Sequence, residues 1–221
     1  LPNERNKEIQ TIRMMVYFID ATSDIIQQEG IDKITIRKIA DLAGYNSATI
    51  YNYFDELSHL IFFGSMRYIK KYINALPGYL AACNTPLEKY LKMWECFCTY
   101  SFEEPEIYHA VFSSNLGCPP EQLLSDYYGM FPTDLIEAPE DLHTMLQESN
   151  LAKRGRIALN ECVDEGYLQA DDAERLSEMQ FLMWQGMHTM FLNKRSDYSV
   201  AEVVDVTMDH IRFSLESSTF K

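Results

Sequence analysis

Between Thr35 and Phe54 the order of small, apolar and turn-forming residues leaves few ways to fold. Ile36, Ile39, Ala40 and Ala43 recur at i, i+3, i+4 and i+7, the spacing of one buried face on a short helix. Thr35 is a good N-cap for that helix. Gly44 follows where the chain must turn, a place suited to positive φ. Asn46 can cap a second helix whose buried face is Ile50 and Phe54. Two short helices crossing at a steep angle tolerate only a small side chain where they come closest. Ala40 meets that need, Gly44 supplies the turn and Ile50 plugs the core between the helices. One such match is common, but three in register are rare, and they predict a helix-turn-helix. The bland alternative is a pair of core helices with no role on nucleic acid.

The rest of the chain also reads as helix. Ile9, Ile12, Val16, Ile19 and Ile26, with Ser23 as the small member, make an amphipathic stripe from about residue 8 to residue 29, ended by Gly30. A linker, Ile31 to Ile34, leads to Thr35. Leu57, Leu60, Ile61, Gly64 and Tyr68 share a face of a helix expected to stop before Pro77. Further helices are expected over 86–103, 106–115, 140–166, 173–193 and 200–217. Residues 117–141 hold Pro119, Pro120, Pro132 and Pro139, so irregular backbone or short helices are expected there. No alternating run of β-type residues, internal repeat or low-complexity tract is present. The fold class is all-α.

Composition narrows the function classes. The 221 residues are 47% hydrophobic and 24% charged, ordinary values for a globular protein. No apolar run approaches the roughly 20 residues that cross a bilayer, and no secretory leader is visible, so a cytoplasmic address is expected and no membrane partner. Cys83, Cys96, Cys98, Cys118 and Cys162 are scattered, without a CxxC, and read as reduced packing thiols. No metal and no cofactor are expected. A net charge of −14 argues at first against nucleic acid, but residues 1–72 balance nine basic against nine acidic residues, and the whole excess lies beyond them. A neutral head on an acidic body suits a protein that presents one end to DNA.

The segment TIRKIADLAGYNSATIYNYF, residues 35–54, resembles the DNA-binding segment of the tetracycline-repressor (TetR) family of regulators. The likeness runs through Gly44, Tyr45, Asn46, Ser47, Ala48, Thr49, Ile50 and Tyr51 to the aromatic pair Tyr53 and Phe54, and extends over about a quarter of the chain. It implies an N-terminal three-helix helix-turn-helix DNA-binding domain, residues 1–56, followed by a larger helical ligand-binding and dimerisation domain, residues 57–221. It also implies that Thr49 and Tyr51 contact phosphate oxygens. Ser47, Ala48 and Asn52 would face base edges, with Arg37 reaching in from the preceding helix. Tyr45, larger than the family's usual aliphatic residue, adds to this surface, and Asn46 and Tyr53 complete the expected DNA-facing set. One departure weakens the pattern. Leu57, preceded by Asp55 and Glu56, stands where the family commonly has a phosphate-binding Lys.

The body is rich in aromatic and Met residues. Trp94, Phe97, Tyr100, Tyr108, Phe112, Trp184 and His188 are the candidate lining for an apolar or aromatic small-molecule effector, against the plainer reading of a packed core. Val200, Val204, Met208, Ile211 and Leu215 stripe the last helix, and Met183, Met187 and Met190 mark the one before it. These eight are the expected homodimer interface, a four-helix contact about a two-fold axis. No G-x-S-x-G, phosphate-binding loop, dinucleotide fingerprint or H-E-x-x-H is present, so no enzyme is expected. The reading is a ligand-responsive transcriptional regulator, a repressor on a palindromic duplex operator. The alternative is a small-molecule-binding or sequestering protein with a weakened DNA-binding head.

Overall fold

The computed structural model describes residues 2–136 and 138–219, and every regular element among them is helical. In chain order the α-helices are α1 (Pro2–Glu29), α2 (Ile36–Ala43), α3 (Ser47–Ile50), α4 (Leu57–Leu80), α5 (Pro86–Glu103), α6 (Pro105–Phe112) and α7 (Pro120–Met130). They continue with α8 (Thr133–Ile136), α9 (His143–Leu146), α10 (Leu151–Ala158), α11 (Asn160–Asp164), α12 (Ala170–Leu192) and α13 (Val200–Thr219). Short 3-10 turns cover Ile31–Lys33 and Glu140–Leu142. The chain gathers into two compact units, Leu1–Lys70 with Ile107–Pro132, and Lys71–Glu106 with Thr133–Lys221.

In the first unit, α1 packs against α2, and α2 against α3. Phe18, Ile19, Ile39, Ala40, Ile50, Phe54 and Leu60 are buried there. Phe18 meets Tyr45, Tyr53 and Phe54 with ring centroids 5.5, 5.9 and 6.5 Å away, which ties α1 to both ends of α3. The α1–α4 crossing depends on Gly64. A Cβ there would lie 2.8 Å from the Thr22 methyl and 3.3 Å from Ile26 Cδ1, so no larger residue fits without displacing α1. Phe63 carries the core onward to Tyr127, and the Arg67 guanidinium lies 4.5 Å over the Phe131 ring. His59, in the first turn of α4, donates from Nε2 to the Leu116 carbonyl at 2.9 Å, which fixes the loop before α7.

The second unit is built on α5, α10, α12 and α13. Trp184 is fully buried, and its indole N–H donates to Ser101 Oγ at 3.0 Å. Gln180, also fully buried, accepts the Tyr90 hydroxyl and donates to Ser214 Oγ at 2.9 Å, joining α5, α12 and α13 through one amide. Such a network is costly to leave half-made, so it specifies the packing of these helices.

Three local expectations change. α4 does not stop before Pro77 but runs to Leu80. A proline forfeits one N–H bond, and here the loss falls in the last turn, where little helix remains to be broken. The Pro-rich stretch holds an 11-residue helix, α7, because Pro120 sits in its first turn, where the missing N–H has no partner to lose. The helix expected over 140–166 is instead a 3-10 turn followed by α9, α10 and α11, with Asn150 capping α10 by accepting Lys153 N–H at 3.0 Å.

Candidate nucleic-acid interface

α2 begins where Thr35 Oγ1 accepts the Lys38 N–H at 3.2 Å, and it ends at Gly44, which is left-handed at φ 78° and ψ 28°. The Gly44 and Tyr45 N–H groups return to the last carbonyls of α2, and Tyr45 N–H reaches the Ala40 carbonyl at 2.9 Å. Asn46 then caps α3, its Oδ1 accepting the Thr49 N–H at 3.0 Å and the Thr49 hydroxyl at 3.1 Å. α3 is only one turn long. Tyr53 and Phe54 N–H bond back to the Ile50 carbonyl at 2.9 and 3.0 Å and close the segment as a turn.

The geometry separates a buried side from an exposed one. Ile39, Ala40, Ile50 and Phe54 point inward, while Arg37, Tyr45, Asn46, Ala48, Tyr51 and Asn52 are exposed. Ser47, Thr49 and Tyr53 are half-buried. All nine residues expected to face DNA therefore belong to one short connected segment, and six of them are open. The exposed group offers two phenol hydroxyls, two amides and a guanidinium, the donor and acceptor types that meet phosphates and base edges. Leu42, near the end of α2, is also exposed, a residue that the sequence did not single out.

The local charge is balanced within the head. Lys38 Nζ lies 2.5 Å from Glu29 Oε2, and Arg37 approaches Asp41 at 3.8 Å with its side chain 88% exposed. Asp55 and Glu56 are exposed just ahead of α4, and Ser58 Oγ donates to Glu56 at 3.0 Å. Lys38, the basic residue of this segment beside Arg37, is shared with Glu29 in an exposed ion pair.

The sequence model of the tetR family of bacterial regulatory proteins matches residues 18–58, the stretch from Phe18 through α2 and α3 into α4. That match covers the helix-turn-helix segment and the helix ends that flank it. No curated protein sequence matches it significantly. Among solved structures, the TetR-family regulator PfmR from Thermus thermophilus superposes with a TM-score of 0.52 at 14% identity, covering 90% of this chain and 97% of that one. The fatty acid degradation regulator FadR from Bacillus halodurans gives 0.53 at 15% identity, covering 89% and 93%. A Rhodococcus sp. RHA1 protein of unknown function gives 0.58 at 13% identity, covering 93% and 95%. At such identities the likeness is one of fold. The segment that carries α2 and α3 is thus similar to the DNA-binding segment of tetR-family regulators. No helix of the described residues is long and apolar enough to cross a membrane.

The second unit has a cavity of about 40 Å³, whose lining includes Tyr72, Tyr90, Met93, Trp94, Phe97 and Arg154. Of the seven residues expected to hold an effector, only Trp94 and Phe97 line it. Trp184 stands behind Phe97, with centroids 5.1 Å apart, and His188 lies against Trp184 at 4.7 Å. Tyr100 is half-buried beside Tyr72, and Tyr108 and Phe112 belong to the first unit. Arg154 was not anticipated. On α10 it follows Leu151 by three residues and precedes Ala158 by four, so it shares their inner face, but a lone Arg on such a short stripe looks like surface in a sequence. Burial pushes the Tyr90 phenol pKa up, so this group stays protonated. Among the described residues, no group of three or more His, Cys, Asp or Glu side chains is placed to hold a metal ion.

The eight residues expected at a dimer contact divide. Met190 and Val200 are exposed, and Met183, Met187 and Val204 are half-buried. Met208, Ile211 and Leu215 turn into the chain's own core, because α13 packs along both α5 and α12. The open apolar side chains on these two helices are Met179, Leu182, Met190, Val200 and Phe213, the last two of α13, with Leu182 65% and Phe213 72% exposed.

Proposed function

We propose that this regulator is a ligand-responsive repressor that binds a palindromic operator as a homodimer and is released by a small apolar or aromatic effector. Residues 1–56 form the DNA-binding domain, and residues 57–221 hold the effector and make the dimer. The observation that carries the reading is the helix-turn-helix itself. Its buried side is complete, its capping bonds are made, and Tyr51, Asn52, Ala48 and Arg37 remain open to a duplex. Thr49 and Tyr51 would position the head on phosphates, and Ser47, Ala48 and Asn52 would read bases, with Tyr45, Asn46 and Tyr53 along the flank.

A one-turn recognition helix with balanced local charge needs a second copy for affinity. The exposed apolar side chains Met179, Leu182 and Met190 of α12 and Phe213 of α13 are the open groups available for it. Two heads about 34–36 Å apart would meet successive turns of the major groove. A hundredfold loss of operator affinity on effector binding needs about 2.7 kcal/mol of coupling, an ordinary allosteric magnitude. The protein works in the cytoplasm and catalyses no reaction.

The test is fluorescence-anisotropy titration of a palindromic duplex selected from a random library, with salt varied and Tyr51→Ala as control. Tight, salt-dependent binding that collapses in the variant supports the repressor. Leu57 and the net charge of −14 favour a second reading, a small-molecule-binding or sequestering protein with a weakened head. Absence of any sequence preference in the same titration would select it.

A further inference from the structure

A cleft of about 500 Å³ opens in the second unit among the end of α4, α5, α9, α10 and α11. Its volume falls within the ordinary range of ligand sites. Of the fifteen described residues that line it, ten are apolar, among them Pro77, Leu80, Leu142 and Ile157. None of the fifteen is aromatic, so the walls offer an aliphatic surface and no ring to stack on. The polar groups are Lys89, Asp141, Thr144, Asn160 and Glu161, and their charges do not cancel. Lys89 Nζ lies 2.9 Å from Glu161 Oε2. That hydrogen bond, opposed by burial and helped by the charges of Glu161, Asp141 and Glu165, raises the Lys89 pKa and keeps it a cation. Asp141 is exposed, and its carboxylate makes no hydrogen bond or ion pair among the described residues. With Lys89 answered by Glu161, Asp141 leaves the lining one negative charge in excess.

We infer that this cleft takes an aliphatic ammonium ion, with its alkyl part against the apolar walls and its charged nitrogen at Asp141. The inference rests on the body being the effector-holding part of a repressor and names the chemical class of that effector. The walls select the tail. Each methylene laid against them contributes burial, whereas a flat aromatic molecule finds no ring to pair with. Charge selects the head. A carboxylate would meet Asp141 and Glu161 with only Lys89 to offset them, and Lys89 is already bonded. An ammonium group meets an open carboxylate instead. Both partners of the Lys89–Glu161 pair and Asp141 reach solvent, so charge sets the preference while the walls supply most of the affinity. A neutral alcohol gains the walls alone and ranks between the two ions.

Calorimetric titration of the full chain at pH 7 with decylammonium, 1-decanol and decanoate, each below the concentration at which it aggregates, tests this. At that pH the amine is charged, as a lysine side chain is. Decylammonium should bind about fivefold tighter than decanol, and decanol about fivefold tighter than decanoate, the worth of one exposed charge contact each. Octylammonium should bind about fifteenfold weaker than decylammonium for the loss of two methylenes, and naphthylmethylammonium should also bind weaker. Asp141→Asn makes the lining neutral. It should bring the ratio of amine to alcohol affinity close to one, with decanol binding and the circular dichroism spectrum unchanged. In a spectrum labelled at isoleucine methyls, Ile157 should shift as decylammonium binds, while Ile211, buried on α13, should not. Tightest binding of decanoate or of the aromatic amine, equal binding of the three decyl compounds, an amine preference that survives Asp141→Asn, or an unmoved Ile157 methyl would overturn the inference. Operator release by another compound, with no amine bound, would overturn it and leave the repressor standing. Amine binding at Ile157 without operator release would support the ammonium site and remove its effector role instead.

Discussion

Gly64→Ala separates two effects that oppose each other at one atom. In a helix interior alanine is favoured over glycine by about 0.8–1 kcal/mol. At this position the added Cβ would stand 2.8 Å from Thr22 Cγ2, 3.2 Å from Thr22 Cβ and 3.3 Å from Ile26 Cδ1. Thr22 cannot swing aside cheaply, because it is fully buried and its hydroxyl donates to the Phe18 carbonyl at 2.7 Å. Overpacking of this kind costs about 1–3 kcal/mol, so the net effect is a destabilisation of about 1 kcal/mol. Thr22→Ser deletes the clashing methyl and keeps the hydroxyl bond, at a cost of about 1 kcal/mol for the lost apolar group. In that background Gly64→Ala should be about neutral, since the 2.8 Å contact is gone while those at 3.2 and 3.3 Å remain to offset the propensity gain. The two changes are therefore coupled by about 1 kcal/mol, within the range measured for touching residues. Urea unfolding of the four proteins, followed by circular dichroism and compared at unchanged m, gives the cycle. The same stability change for Gly64→Ala in both backgrounds would refute the close-approach argument.

Other outcomes follow from the same coordinates. Gly44→Ala should cost about 1–2 kcal/mol from the left-handed backbone alone, since no atom lies within 4 Å of the added Cβ; Gly44→Asn should cost less, as thermal melting will report. Tyr51→Phe should weaken operator binding about tenfold, the 1.4 kcal/mol of one phosphate hydrogen bond, and an unchanged anisotropy titration would remove that contact. Leu182→Glu with Phe213→Glu should turn a dimer into a monomer in sedimentation velocity, with Met208→Ala, a buried control, destabilising the fold instead. Burial pushes the Cys96 thiol to about 12 and, with Glu161 and Glu165, the Cys162 thiol to about 11. These folded-state values lie above the ordinary thiol range, so the native chain holds the protons longer than the unfolded one. Their contribution to stability is present below about pH 9 and is lost as the pH rises toward 11 and 12. At pH 8.5 neither thiol should react with iodoacetamide until the chain is unfolded, as peptide mass mapping will show.

The helix-turn-helix was legible in the sequence because every signal that makes it is local. Thr35, Gly44 and Asn46 act on backbone within three or four residues of themselves, and Ile36, Ile39, Ala40 and Ala43 share a face simply through the helical period. The bounds of α5 were readable for the same reason, with Thr85 capping ahead of Pro86. The body's chemistry was not. Trp94, Trp184 and Tyr108 have similar apolar character in a sequence, yet only the first lines the cavity, because lining depends on which faces meet across long stretches of chain. Met208, Ile211 and Leu215 read as a stripe in search of a partner, and the packing of α13 on α5 and α12 gave them one within the chain. Arg154 carries the same lesson. Its spacing put it on a face, but only the carbonyls of Leu146 and Glu148 and the walls of α5 made that face an interior one. Local capping and periodicity determined the head and the all-helical class, and the long-range meeting of helix faces decided the cavity, its charge and the surface left open.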